Sequence, residues 1–193
     1  MPAPGGGLTN RGFVGRDGSA ELMDYPDFAV QRAFDINDDD WIVGSWLPGA
    51  GLPERAYVAK AFGDEIRDLG LFPGVGGAIA RAINNAGEIV GAASQGTDVR
   101  ALYWPAGATQ PTDLNTLVDL PGVTLLSAMD INNAGQILAR GFGGYYILTP
   151  IPEPAVGVWV IGYWLLVTRR RRSVLGGRPS PAANAQEPVT SNE

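Results

Sequence analysis

Neither cysteine nor histidine occurs among the 193 residues. The first absence excludes disulfides, thiolate metal ligands and thiol nucleophiles, and the second removes imidazole ligands, Ser-His arrangements and the usual neutral-pH acid/base group. Most enzyme classes are thereby disfavoured, and with no cofactor motif the chain is expected to be non-enzymatic and cofactor-free. Missing cysteine does not by itself fix the redox compartment. Basic charge is also scarce: residues 1–150 carry 9 Lys and Arg against 17 Asp and Glu, a net of −8. Such a body is repelled by phosphate backbones, so no nucleic-acid partner is expected. The opening residues, MPAPGGGLTNRG, lack an apolar secretory h-region. The expectation is that Met1 is not the true start or that the chain is a fragment of a longer protein, the other option being that it is not exported.

Glycine and proline are abundant, at 27 and 15 residues, which favours many short strands and turns. Self-similarity organises them. AFDINDDDWIVG from Ala33, ARAINNAGEIVG from Ala80 and AMDINNAGQILA from Ala128 align with periods of 47 and 48. Pro26, Pro73 and Pro121 each stand seven residues before those alanines. A second element recurs at a spacing of 45, Arg55-Ala56-Tyr57 against Arg100-Ala101-Leu102 and Asp68-Leu69 against Asp113-Leu114. Arg11 to Val14 reads as the start of an earlier unit and Tyr145 to Leu148 as the end of the last.

Within a unit the pattern reads strand, turn, strand. Asn84 to Gly87 separates apolar runs and supplies turn-forming residues, so a hairpin is expected there and at its repeats. Ile36, Ile83 and Ile131 are expected core positions, and Asn37, Asn84 and Asn132 the structural turn residues. The Tyr57 and Leu102 stretches give a third strand, and Ile66 to Leu69 or Thr112 to Leu114 a short fourth. Four strands in about 47 residues match one propeller blade. The expected fold is all-β, an open or partial propeller-like array of about three units over residues 12–150, after a disordered or truncated segment 1–11. Ordinary closed propellers have about four to eight blades, so missing N-terminal blades or self-association of open edges would complete the array.

The A-x-x-INxxGxIVG pattern, with its later R-A-[YL] strand and D-L step, resembles the HAF extracellular repeat family of exported bacterial proteins. The resemblance implies a secreted or surface protein with propeller-like repeats and no assigned catalytic residues.

After the body come Pro152-Glu153-Pro154, the uncharged run AVGVWVIGYWLLVT over 155–168, and four arginines, Arg169, Arg170, Arg171 and Arg172. As a helix the run reaches about 21 Å, short of the roughly 30 Å hydrocarbon core, so it is a marginal span that needs thinning or snorkelling. Trp159, Tyr163 and Trp164 suit the interface, and the arginines hold the following residues cytoplasmic and the body outside. A buried core helix and a permanent tail anchor are the competing readings. The order of motif, helix and arginines resembles the PEP-CTERM sorting signal, here over residues 151–172. That resemblance implies an exosortase-type enzyme as partner and a stay in the inner membrane, then cleavage near the Pro-Glu-Pro and transfer to the cell surface or medium. Exopolysaccharide is a further partner under this reading. Residues 173–193, rich in Pro, Ala, Ser and Asn, read as a disordered cytoplasmic tail.

Other chemistry is weaker. Asp35, Asn37 and Asp39 place oxygens at alternate positions, the start of a calcium loop, but Asp40 stands where that pattern needs glycine. An Asx turn with a solvated acidic tip is the plainer reading. Gly74 to Gly77 lacks the lysine and the following helix of a phosphate loop. Trp41, Trp46, Tyr57, Tyr103 and Trp104 could bind sugars if exposed, although strand spacing favours core or cross-strand roles. The leading expectation is an exported, non-enzymatic repeat protein with a binding or structural role. The alternatives are a secreted carbohydrate-active enzyme or lectin with a truncated propeller, recognisable by a carboxylate pair in a deep pocket, and a fragment without function or an independent fold.

Overall fold

The computed structural model describes residues 13–16, 19–22, 31–62, 65–74, 76–151 and 165–169. A two-stranded antiparallel ribbon, β1 (Phe13–Arg16) and β2 (Ser19–Leu22), comes first. Three four-stranded antiparallel meanders follow. The first is β3 (Gln31–Ile36), β4 (Trp41–Trp46), β5 (Arg55–Lys60) and β6 (Ile66–Asp68). The second is β7 (Gly77–Ile83), β8 (Ile89–Gln95), β9 (Asp98–Trp104) and β10 (Thr112–Asp113). The third is β11 (Leu125–Ile131), β12 (Ile137–Gly141), β13 (Gly144–Pro150) and β14 (Leu165–Arg169). A 3-10 turn at Leu114–Thr116 ends the second meander, and no α-helix occurs among the described residues.

The expected hairpins form at each Ile-Asn turn, joining β3 to β4, β7 to β8 and β11 to β12. Each carries the same irregularity in its first strand, a register shift at Ala33/Asp35, Ala80/Ala82 and Ala128/Asp130. The extra residue is a β-bulge, which twists the strand just before it enters the turn. The fourth residue of each turn has a left-handed backbone, φ 59° at Asp40, 79° at Gly87 and 72° at Gly135. That conformation explains glycine in two repeats, and aspartate is among the few other residues that tolerate it. Pro73-Gly74 and Pro121-Gly122 lead into β7 and β11 as turns with positive φ at the glycine, the pairing a type II turn requires.

The sheets stack, with the first strand of each laid on the preceding sheet: β7 meets β3, β4 and β5, and β11 meets β7, β8 and β9. Side chains alternate between the two faces, as the pleat dictates. Val43, Ala56 and Val58 point forward and bury against Ala78, Ala80, Ile83, Ile89, Leu102 and Trp104 of the second sheet. One repeat later Val90, Ala101 and Tyr103 do the same against Leu125, Ala128, Ile131, Ile137 and Leu148 of the third. Two core layers thus lie between the three sheets, each built by the same repeat columns, and a third cluster, Ile42, Tyr57, Ala59 and Ala61, is buried on the other face of the first sheet.

That arrangement corrects one expectation. Ile83 and Ile131 are core residues at 5% and 6% exposure, but Ile36 is 51% exposed. Ile83 and Ile131 pack backward onto the sheet before them. Ile36 belongs to the first of the three sheets, so it has no such surface among the described residues. The helix expected over 155–168 falls mostly outside the described residues. Leu165–Arg169, at the end of that segment, pairs antiparallel with β13, Leu148 opposite Val167 and Tyr146 opposite Arg169. The open edge of β13 presents unpaired backbone groups, and Leu-Leu-Val-Thr is a segment able to satisfy them. Residues 1–11 and 173–193, and with them the disordered ends expected from sequence, lie outside the described residues.

Candidate functional site

The three Ile-Asn turns converge into one hydrogen-bonded ladder running across the stack. In each turn the asparagine side chain first closes its own loop. Asn37 Oδ1 accepts from the Asp39 and Trp41 amides at 3.1 and 2.9 Å, Asn84 Oδ1 from Glu88 at 3.0 Å, and Asn132 Oδ1 from Ala134 and Gln136 at 3.0 and 2.9 Å. The amide nitrogen then reaches the next repeat. Asn37 Nδ2 donates to the Asn84 carbonyl at 3.0 Å, and Asn84 Nδ2 to the Asn132 carbonyl at 3.2 Å. A parallel rail follows one residue on, Asp38 N–H to Asn85 Oδ1 at 3.1 Å and Asn85 N–H to Asn133 Oδ1 at 2.9 Å. These bonds join residues 47 or 48 apart, which is the period of the sequence repeat. Asn132, in the last turn, turns its Nδ2 to Gln136 Oε1 instead.

The calcium candidates are part of this ladder. Asp35 Oδ1 accepts from the Ile36 amide and Oδ2 from the Ile83 amide, both at 2.9 Å. With Asn37 Oδ1 already holding two amides, the oxygens that a cation would need face N–H donors. Asp39 contributes its carbonyl to Lys60 Nζ at 2.6 Å. Among the described residues no three carboxylates gather as a metal-holding group.

The second recurrent element is also structural. Arg55 is paired with Asp68 across β5 and β6, and Arg100 lies 3.7 Å from Asp113 across β9 and β10. Asp68 Oδ1 and Asp113 Oδ1 cap the following backbone through Gly70 N–H and Asn115 N–H, both at 2.8 Å. The R-A and D-L motifs therefore tie the third and fourth strands together and set Leu69 and Leu114 into the core. A hydrogen bond to Asp98, and next the charge of that carboxylate, raise the Arg100 guanidinium above its ordinary pKa.

The aromatic candidates divide. Tyr57 and Trp104 are wholly buried, and Trp104 Nε1 donates to the Leu69 carbonyl at 2.8 Å, bridging two sheets. Tyr103 is buried with its hydroxyl on Glu88 Oε1 at 2.6 Å. Trp41 is half-buried beneath the cations of Lys60 and Arg67, at 4.5 and 5.2 Å from its ring centre. Trp46 is half-buried against the cluster around Ile42.

A groove of about 540 Å³ opens beside the first strands of the second and third sheets. Gly77, Ile79 and Arg81 reach it from β7, the side of that strand opposite its buried alanines. Met129 of β11, Arg140 of β12 and Tyr145 of β13 line it from the third sheet. Glu54 also borders it, but its carboxylate is taken by Arg32 Nη1 at 3.0 Å and Ser45 Oγ at 2.6 Å. Arg32, Arg55, Arg67 and Arg100 all have carboxylate partners. Among the described residues Arg81 and Arg140 have none, and the Arg81 Nε is buried without a hydrogen-bond partner. Sequence reasoning missed both, having counted them only in the charge total. Their signal lies in the repeat columns: Arg81 stands where the other repeats have Phe34 and Met129, and Arg140 where they have Ser45 and Ala92.

Ile36, Asn37, Ile83, Asn84, Ile131 and Asn132 are thus brought together by the stack, and Pro73 and Pro121 sit in exposed turns at its rim. Pro26, Pro152, Glu153, Pro154, Arg170, Arg171 and Arg172 lie outside the described residues, and Arg169 ends β14. Comparison with family models, with curated proteins and with solved structures finds no match to this chain.

Proposed function

We propose that this chain is an exported bacterial cell-surface or extracellular-matrix repeat protein, non-enzymatic, with a binding or structural role. In this reading the sheets are blades of an open, propeller-like array. An exosortase-type enzyme sorts the protein through its C-terminal signal, from the inner membrane to the surface or medium. The observation that carries it is the order Pro152-Glu153-Pro154, an uncharged apolar run, and Arg169 to Arg172. A run of that composition needs either a membrane or a protein surface to cover it, and a basic cluster directly after it fixes which end stays inside. The repeated body supports the non-enzymatic part, because its recurrent polar residues are engaged in holding turns and sheets together.

The proposal makes a structural demand. Leu165–Arg169 pairs with β13, so membrane insertion requires this segment to leave the sheet edge, and the same residues have two competing sites. Mass-spectrometric mapping of both termini, on protein taken from membrane and supernatant fractions of the native host, tests the reading. A released form ending near Pro154 is expected. An intact form reaching Glu193 and confined to the cytoplasm would overturn it.

A further inference from the structure

We propose that the groove between the second and third sheets is a binding site for a carboxylate-bearing saccharide, held by Arg81 and Arg140. The body as a whole is acidic, and four of its arginines are neutralised by carboxylates in the same structure. Arg81 and Arg140 depart from that rule, and both open onto one groove of about 540 Å³. Among the described residues Glu54 alone brings a carboxylate to the groove, and it is already compensated by Arg32 and Ser45. The local charge is therefore positive inside a negative surface.

A guanidinium presents a planar fork of donors that matches a carboxylate in two-point contact. Among the described residues neither Arg81 nor Arg140 has a carboxylate partner, so their guanidinium donors are left for an incoming oxyanion. The rest of the lining selects the carrier of that oxyanion. Tyr145 is 58% exposed at the rim, and Ile79 and Met129 flank the cations. An exposed ring and apolar edges beside hydrogen-bonding heads suit a flat, C–H-rich sugar ring carrying an acid group. The lining extends from Pro53 and Glu54 of the first repeat to Tyr145 of the third, a span that suits a chain of such sugars. This assignment rests on reading the repeat body as a binding surface, and it is independent of how the chain is sorted.

The test is isothermal titration of the full chain, in mild detergent, with oligogalacturonate, with a neutral oligosaccharide of the same length and with polyglutamate. Saturable binding of the uronate alone is expected, weakened at least tenfold by Arg81→Gln and by Arg140→Gln and left unchanged by Arg67→Gln, which removes equal charge outside the groove. Arg140 is exposed, so Arg140→Gln carries the test should Arg81→Gln disturb folding. No saturable binding, or equal weakening by Arg67→Gln, would overturn the site, and equal binding of polyglutamate would overturn its assignment to a saccharide. Failure of sorting in the host would leave these results untouched.

Discussion

Asn84 is the residue on which two repeats depend. It is buried, its Oδ1 holds the Glu88 amide, and its Nδ2 divides between the Asn132 carbonyl and Glu88 Oε2. Replacing that nitrogen by oxygen turns two attractions into repulsions without changing shape. Asn84→Asp is expected to lower stability by about 2 to 4 kcal/mol, because a buried donor is lost and a carboxylate faces two acceptors. Asn132 has the same role within its loop, but it is exposed and sends its Nδ2 only to Gln136. Asn132→Asp should therefore cost less than about 1 kcal/mol. Urea unfolding of the two variants checks the contrast, and equal losses would refute an inter-repeat role for Asn84. The asparagines were legible in the sequence because both functions act at fixed offsets, the loop closure four residues on and the ladder one period on. The exposure of Ile36 was not legible, since an isoleucine is buried only if something packs on it, and a repeat column does not say which copy stands first.

The hairpin is the element that the sequence specified best, and its glycines show two different reasons for one residue type. Gly87 has φ 79° with only the Ala106 methyl near, at 3.8 Å from where a Cβ would lie. Gly87→Ala should cost about 1 to 2 kcal/mol, the penalty of a left-handed backbone alone. Gly91 has an ordinary φ, but a Cβ there would lie 1.9 Å from the Ile79 carbonyl oxygen across the bulge. A backbone atom cannot rotate away, so Gly91→Ala should disrupt β7 and β8 and cost more than about 3 kcal/mol. The third hairpin carries Ala139 in that column, paired with Ala128, and there β11 has a second register shift between Leu125 and Ser127 that the other first strands lack. That shift lies next to the Ala128–Ala139 pair. Thermal melts of Gly87→Ala and Gly91→Ala should rank in that order, and the reverse ranking would discount the bulge geometry. A motif ending in IVG or ILA shows the change of residue but not the change of register that accompanies it, twelve or more residues upstream in β11. The groove arginines escaped for a related reason. Single departures from a repeat column look like drift until the strands are stacked and both are seen to open on one space.

Across the whole molecule the stack makes position matter more than residue type. Val43, Val90 and Leu138 occupy one column on the forward face of the three sheets. Val43 and Val90 are wholly buried by the sheet that follows, whereas Leu138 is 38% exposed. In a linear array each unit is stabilised by its own packing and by its neighbours, so the terminal unit has the least to lose. Val90→Glu would place an unpaired carboxylate among Ala101, Tyr103, Leu125 and Leu148, at a cost of more than about 3 kcal/mol. The same change at Leu138 meets solvent and should cost less than about 1 kcal/mol. Denaturant midpoints of the two variants measure the asymmetry directly. A large loss at Leu138 would mean that this forward face is covered in solution, either by a further repeat or by a second copy, and that the three sheets are an interior stretch of a longer stack.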